Sequence, residues 1–175
     1  MASRLELIAL EGFPLVEPGD ELGQLIADSL QHNGLQLLGG DVLVVAQKIV
    51  SKAEGRYIRL ADIVPGPEAI ALAQQANKDP RQVEVMLAES REVIRVRPGV
   101  IIVEHKLGYV HANAGIDRSN IANSLEDPRV LLLPRDPDAS ARALRAALAA
   151  LTGVAPQVII NDSAGRAWRN GIIGF

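Results

Sequence analysis

Two short clusters in this chain carry the residue types that phosphate chemistry needs. The run Asn161-Asp162-Ser163-Ala164-Gly165-Arg166-Ala167-Trp168-Arg169-Asn170-Gly171 follows the apolar segment Val158-Ile159-Ile160. A buried strand would therefore end by delivering a carboxylate, a hydroxyl, a glycine and two guanidinium groups to one place. Asp162 and Ser163 are hard oxygen ligands suited to Mg²⁺ or Mn²⁺, and an arginine beside such a cation suits a phosphate. The second cluster, Asn113-Ala114-Gly115-Ile116-Asp117-Arg118-Ser119-Asn120, repeats the mixture after another apolar segment. A strand-end Asp is also an ordinary helix cap or turn former, and Asp117 sits in a loop that already holds Gly115 and Asn120. The recurrence of acid, amide and base at two strand ends favours metal-assisted phosphate chemistry, with Asp117 and Asp162 converging on one cation cluster.

Two further loops are weaker candidates. Ser51-Lys52-Ala53-Glu54-Gly55-Arg56 stands where a strand should end, the position at which open α/β sheets present ligand contacts. Lys52 would neutralise phosphate oxygens and Gly55 would allow close backbone approach, although a solvated turn explains the same Lys-Glu-Arg pattern. Glu11-Gly12-Phe13-Pro14-Leu15 reads first as a turn, and such a loop can also cradle a base or a phosphate. No Gly-x-x-x-x-Gly-Lys-Ser/Thr loop and no Gly-x-Gly-x-x-Gly after a strand is present, so a nucleotide site would be of neither kind. His32, His105 and His111 lack metal-ligand spacing; His105 and His111 flank a turn and read as surface or hairpin residues. Trp168 reads as a packing anchor more readily than as a stacking platform.

The composition bounds what can hold these groups in place. A chain of 175 residues, 48% hydrophobic, is long enough for a full core, and with 3% aromatics that core must be aliphatic. A net charge of −3 with no Lys/Arg run argues against a nucleic-acid partner. The absence of cysteine excludes disulfides, thiolate metal sites and a thiol nucleophile. No apolar run approaches the roughly 20 residues that span a bilayer, and Met1-Ala2-Ser3-Arg4 opens no secretory signal, so the expectation is a soluble cytoplasmic protein without a membrane partner.

The pattern predicts a strand over Leu5 to Leu10, then a helix capped by Asp20 with Leu22, Leu25, Ile26 and Leu30 on one face. Asp41 to Ala46 reads as a strand covered on both faces, leading into a polar loop from Gln47 to Arg56. Pro65 to Ser90 reads as helical, divided at Asp79-Pro80. Val93 to Val103, interrupted at Pro98-Gly99, and Tyr109 to Ala112 read as strands, the last joined through Lys106-Leu107-Gly108 as a hairpin. Val130 to Leu133 is a further buried strand. Asp136-Pro137-Asp138 opens an amphipathic helix with Ala141, Leu144, Leu148 and Leu151 inward and Arg142 and Arg145 outward, ended by Gly153. Gln157 to Asn161 is the last clear strand. The fold class is α+β, one unit over residues 1–175, with mixed sheets and flanking helices. Gly171-Ile172-Ile173-Gly174-Phe175 ends without a polar cap, as a truncated chain or a segment completing a partner subunit would.

Four segments in this order resemble the coenzyme F420:L-glutamate ligases, the F420-0 γ-glutamyl ligases. They are Glu11-Gly12-Phe13-Pro14-Leu15 with Pro18-Gly19-Asp20; Gly40-Asp41-Val42-Leu43-Val44-Val45 with Ser51-Lys52-Ala53-Glu54-Gly55-Arg56; Asn113 to Asn120; and Asp162 to Gly171. Leu131-Leu132-Leu133-Pro134-Arg135-Asp136-Pro137-Asp138 is similar too. The resemblance runs over nearly the whole chain and implies the N-terminal portion of a longer γ-glutamyl ligase domain.

That resemblance implies a GTP-dependent amide ligase. GTP would phosphorylate the terminal carboxylate of F420-0, and the amine of L-glutamate would attack the acyl phosphate. It further implies two divalent cations, Mg²⁺ or Mn²⁺, with K⁺ as an optional further cation, and a homodimer. The family's metal ligands fall on Asp117, Asp162 and Ser163, the last usually Thr. Its GTP contacts fall on Gly12, Phe13, Pro14, Leu15, Lys52 and Asn120, and on Gln47 and Lys48, where small hydroxyl residues are common. Arg166 or Arg169 would orient phosphate or the substrate carboxylate beside Asp117 and Asp162. Two other readings stay open at this point: a nucleotide- and metal-binding module without ligase activity, and an aliphatic-core domain whose acidic loops are structural.

Overall fold

The structure, a computed structural model, describes residues 4–118 and 127–162 and the backbone of 173–174. It is a mixed α and β fold in which helices pack on several small sheets, as the α+β expectation has it. In chain order the described elements are α1 (Leu22–His32), β1 (Val42–Ala46), α2 (Gln47–Ala53), β2 (Tyr57–Arg59), α3 (Pro67–Ala76), α4 (Pro80–Ala88), β3 (Ser90–Arg97), β4 (Val100–His105), β5 (Val110–Ala112), β6 (Arg129–Leu131), α5 (Pro137–Thr152), β7 (Gln157–Asp162) and β8 (Ile173–Gly174). No described helix is long and apolar enough to cross a membrane.

The first sheet joins distant parts of the sequence. β1 and β7 run parallel, from Val42 opposite Gln157 to Ala46 opposite Asn161, and β8 pairs antiparallel to the end of β7. α1 and α5 cover one face, where Ile26, Leu30, Val45, Val50, Leu144, Leu148 and Ile160 form an aliphatic core. Each fully buried side chain of this kind contributes about 2 kcal/mol. The two helices cross where Gly23 meets Ala147; a Cβ at position 23 would lie 2.7 Å from the Ala147 Cβ, so only glycine permits this approach. A glycine within a helix costs about 1 kcal/mol relative to alanine, which the packing offsets.

The other sheet face corrects the expectation of strands covered on both sides. Val42, Val44 and Ile159 lie exposed there, and β1 alternates instead of being uniformly buried. A continuous apolar run does not by itself distinguish the two cases, because periodicity carries no information when both faces are apolar.

The remaining core lies between α3, α4 and the antiparallel β3-β4-β5 sheet, filled by Ala69, Ala73, Ala76, Val83, Met86, Ile101, Val103 and Ala114. The division at Asp79-Pro80 is as expected: Asp79 accepts from the Arg81 N–H and Pro80 opens α4. The β4–β5 hairpin also forms. β2 and β6 pair antiparallel, backed by Leu60, Val85, Val130 and Leu132.

Other local expectations are corrected. Leu5 to Leu10 forms no strand; Leu5 and Leu7 are exposed, and alternation without a neighbouring strand to pair with does not hold an extended ladder. Asp20 does not cap α1. Its carboxylate accepts the Glu17 N–H and closes the turn before the helix, while Glu21 holds the cap position without a side-chain bond. Residues 47–53 are helical, not a loop. Gln47, Val50 and Ser51 share one buried face at helical spacing, and Gln, Lys and Ala are good helix formers despite their polarity. Leu151 is exposed, although Leu144 and Leu148 turn inward as expected.

Candidate functional site

The first turn of α2 brings candidate residues together. Lys48 Nζ lies 2.8 Å from Asp117 Oδ2, joining positions 69 residues apart, with both side chains about a quarter exposed. Asp117 is fixed from behind by its backbone, which exchanges two hydrogen bonds with Leu131 at the end of β6. The turn before it, Asn113-Ala114-Gly115, holds three successive residues in left-handed conformation. The Asn113 side chain anchors the turn by accepting the Ile101 N–H. Gly115 packs so closely on His111 and Leu133 that a Cβ would overlap both. Backbone strain of this kind persists only where the surroundings over-determine it, and here Ile116, which follows the turn, packs against two core clusters.

Sheet register sets Asp162 beside the start of α2. Ala46, the residue before α2, stands opposite Asn161, so the carboxyl ends of β1 and β7 lie side by side, and α2 packs on β7. Asp117 and Asp162 are oxygen donors of the kind Mg²⁺ and Mn²⁺ prefer, which fits a divalent cation chemically. No group of three or more His, Cys, Asp or Glu side chains with metal-ligand geometry occurs among the described residues. Ser163, Arg166 and Asn120, with Trp168 and Arg169, lie outside the described residues.

The Gly12-Phe13-Pro14-Leu15 loop is held at its entrance by Asn33. The Asn33 carboxamide accepts the Glu11 N–H at 3.0 Å and donates to the Glu11 carbonyl at 3.1 Å and to the Ser29 carbonyl at 2.8 Å. Asn33 thus acts as a one-residue strand partner, a role its Asn-Gly context hides behind a helix-exit signal. Gly12 has a left-handed φ of 67°, with the His32 ring beside it, Phe13 packs into the α1/α5 core, and Pro14 and Leu15 are exposed. The loop closes at Gly19, whose N–H donates to the carbonyl of Ala53 at the far end of α2.

The Ser51-to-Arg56 motif divides into structural and available parts. Ser51 is buried against Gln47. Glu54 accepts from the Arg135 N–H and the Ser140 hydroxyl, tying α2 to the start of α5. Gly55 and Arg56 end the helix as a Schellman turn, the Arg56 N–H reaching the Ser51 carbonyl and the Gly55 N–H the Lys52 carbonyl. Lys52, one turn after Lys48 on the same face, makes no ion pair with any described residue. Gln47, expected as a nucleotide contact, is buried, which leaves Lys48 as the accessible member of that pair.

A network that sequence reasoning did not find lies behind this motif. Arg56 donates to the Leu133 carbonyl and to Glu89 Oε2 at 2.8 Å, with side chains 15% and 18% exposed. His105 Nε2 lies 3.8 Å from the same Glu89 oxygen, and His105 Nδ1 accepts the Leu107 N–H. His105 and His111 are buried in the hairpin, not at the surface. Burial, with neighbouring His111, Arg56, Lys106 and Arg91, pushes the His105 pKa down to about 4; burial also lowers His111. Only spacing across the hairpin hints at the two rings, and nothing in the sequence points to Glu89.

Residues 12–175 match the family model for F420-0:gamma-glutamyl ligase. Among curated relatives, the coenzyme F420:L-glutamate ligase of Methanothermobacter thermautotrophicus is 47% identical over 97% of this chain and 66% of its own length. The ligases of the same name from Methanopyrus kandleri and Archaeoglobus fulgidus are 47% and 41% identical over 97% and 98% of the chain, each over 65% of the relative. The chain thus spans just under two thirds of the length of these relatives. With a family match that takes in the strand ends, the α2 motif and both acidic loops, the chain belongs to the F420-0:gamma-glutamyl ligase family.

Proposed function

We propose that this chain supplies the nucleotide- and cation-binding portion of a GTP-dependent ligase that joins L-glutamate to the F420 precursor. The observation that carries the reading is the Lys48–Asp117 pair beside the paired carboxyl ends of β1 and β7. In a chain of this family it puts a cationic side chain and an oxygen ligand within one contact, next to a second strand-end acid. Lys48 and Lys52, one helical turn apart, provide point charges along a line that a chain of phosphates can follow. The Gly12-to-Leu15 loop, held by Asn33, offers backbone groups and an apolar edge to the nucleotide. Asp117 and Asp162 would hold Mg²⁺ or Mn²⁺, which would neutralise charge on the phosphate oxygens as the γ-phosphoryl group passes to the substrate carboxylate. The amine of glutamate then attacks the acyl carbon and phosphate leaves, so no side-chain nucleophile is required. Positioning supplies most of the acceleration. A homodimer belongs to the same proposal.

The test is to incubate the purified chain with GTP, L-glutamate, F420-0 and Mg²⁺ or Mn²⁺, and to measure glutamylated product by mass spectrometry beside GTP binding by calorimetry. Product together with GDP supports the ligase. Binding without product supports a nucleotide- and metal-binding module without ligase activity. Neither binding nor product sinks both.

A further inference from the structure

Lys48 and a divalent cation make competing claims on the same carboxylate. Lys48 Nζ is within 2.8 Å of Asp117 Oδ2, and Asp117 cannot retreat, because its backbone is locked to Leu131 and the strained turn before it is anchored at Asn113. Lys48 is the longer and more flexible side chain of the two. It is a flexible stem with a single point charge, half-buried on the first turn of a helix, and it can swing while its backbone stays in place. An ammonium ion and a dication a few ångströms apart repel each other strongly in a partly desolvated pocket.

From these contacts we infer that Lys48 guards Asp117, holding the cation position closed until a nucleoside triphosphate draws the ammonium onto its phosphates and leaves Asp117 for the metal. This rests on the nucleotide- and cation-binding reading above and adds to it an order of assembly. Triphosphate and metal bind cooperatively because each removes the obstacle to the other, and such coupling is reciprocal. Lys52 has no carboxylate partner among the described residues, so it binds phosphate without controlling the metal.

The test measures two affinities on the whole chain. Mn²⁺ is titrated by electron paramagnetic resonance without nucleotide, and GTP is titrated by calorimetry in EDTA. Lys48→Met, which keeps the stem and removes the charge, is expected to tighten Mn²⁺ about tenfold and to weaken metal-free GTP binding about tenfold. Lys52→Met weakens GTP while moving Mn²⁺ by less than about twofold, because a charge farther from Asp117 is screened. A lysine with a merely structural role would move both affinities the same way. Asp117→Asn separates the two levels of the argument. If it weakens Mn²⁺ while Lys48→Met leaves Mn²⁺ unchanged or weaker, the guard is overturned and the metal reading stands. If it leaves Mn²⁺ binding intact, Asp117 is not a ligand and both fall. Lys48→Gln repeats the charge removal with a polar side chain, so a folding defect peculiar to the methionine variant cannot decide the result.

Discussion

At the C-terminal end of α2, Arg56 grips Glu89 with side chains 15% and 18% exposed, and its Nε–H donates to the Leu133 carbonyl. At the N-terminal end of the same helix, Lys48 meets Asp117 with side chains 28% and 27% exposed. Both are ion pairs of 2.8 Å, yet they do different work. Arginine's planar fork makes several bonds at once and ties the end of α2 to the segment after β6 and to the end of α4; lysine's single charge can leave without disturbing the backbone. Burial and the shape of the cation, not charge, separate the two pairs.

The strongest test of this contrast concerns turnover. In whichever form of the protein proves active, Asp117→Asn and Asp162→Asn should each lower cation-dependent GTP turnover by roughly a thousandfold, in the range seen when one electrostatic stabiliser of a transition state is removed. Asp117→Asn should cost less than about 1 kcal/mol of stability, because a part-exposed pair contributes little. Turnover that survives either change would remove that acid from the site.

Arg56→Met should do the opposite. Leaving the half-buried Glu89 without its guanidinium partner should destabilise the fold by about 3 kcal/mol, read from the midpoint of urea unfolding. Adding Glu89→Gln should recover part of that loss, since the two changes share one interaction. Simple additivity would mean that the pair is not a structural unit.

The same end of α2 should carry a pH signature. The folded state keeps His105 neutral down to about pH 4, whereas the unfolded chain protonates it near 6.5. Between those values the unfolded state binds more protons, so stability falls as pH falls through that window and levels off below about 4. The loss attributable to His105 is at most about 3 kcal/mol, and His105→Gln should flatten that part of the curve in thermal melts. The smallest effect is Lys48→Met, expected to shift stability by no more than about 0.5 kcal/mol.

What the sequence made legible follows the reach of local signals. The caps at Asp79 and Asp136, the Pro80 and Pro137 starts and the Gly153 stop are all decided within a few residues, and each appears where expected. The boundaries of β1 and β7 were readable for the same reason, but their burial was not, since an apolar run looks alike whether one face is covered or two. Polarity concealed α2, whose buried face consists of Gln47, Val50 and Ser51 instead of large hydrophobics. The acids Asp117 and Asp162 were visible as residue types at strand ends. The partners that give the site its structure were not: Lys48 meets Asp117 across 69 positions, and Arg56 meets Glu89 across 33. Such pairings are made by topology, and no local periodicity encodes them.

The parallel alignment of β1 with β7 is the longest-range strand pairing in the described sheets. More than a hundred residues separate the two strands, and the entropy of closing so long a loop is recovered only after the intervening helices and hairpins have organised. The α3–β5 layer relies on neighbours in sequence and can consolidate early. A partly folded chain would therefore resemble the finished protein over its middle third while lacking the junction of β1 with β7. Completing that sheet would then be the last step of assembly, and a lesion that delays β7 would leave the middle layer standing while the outer sheet stayed open.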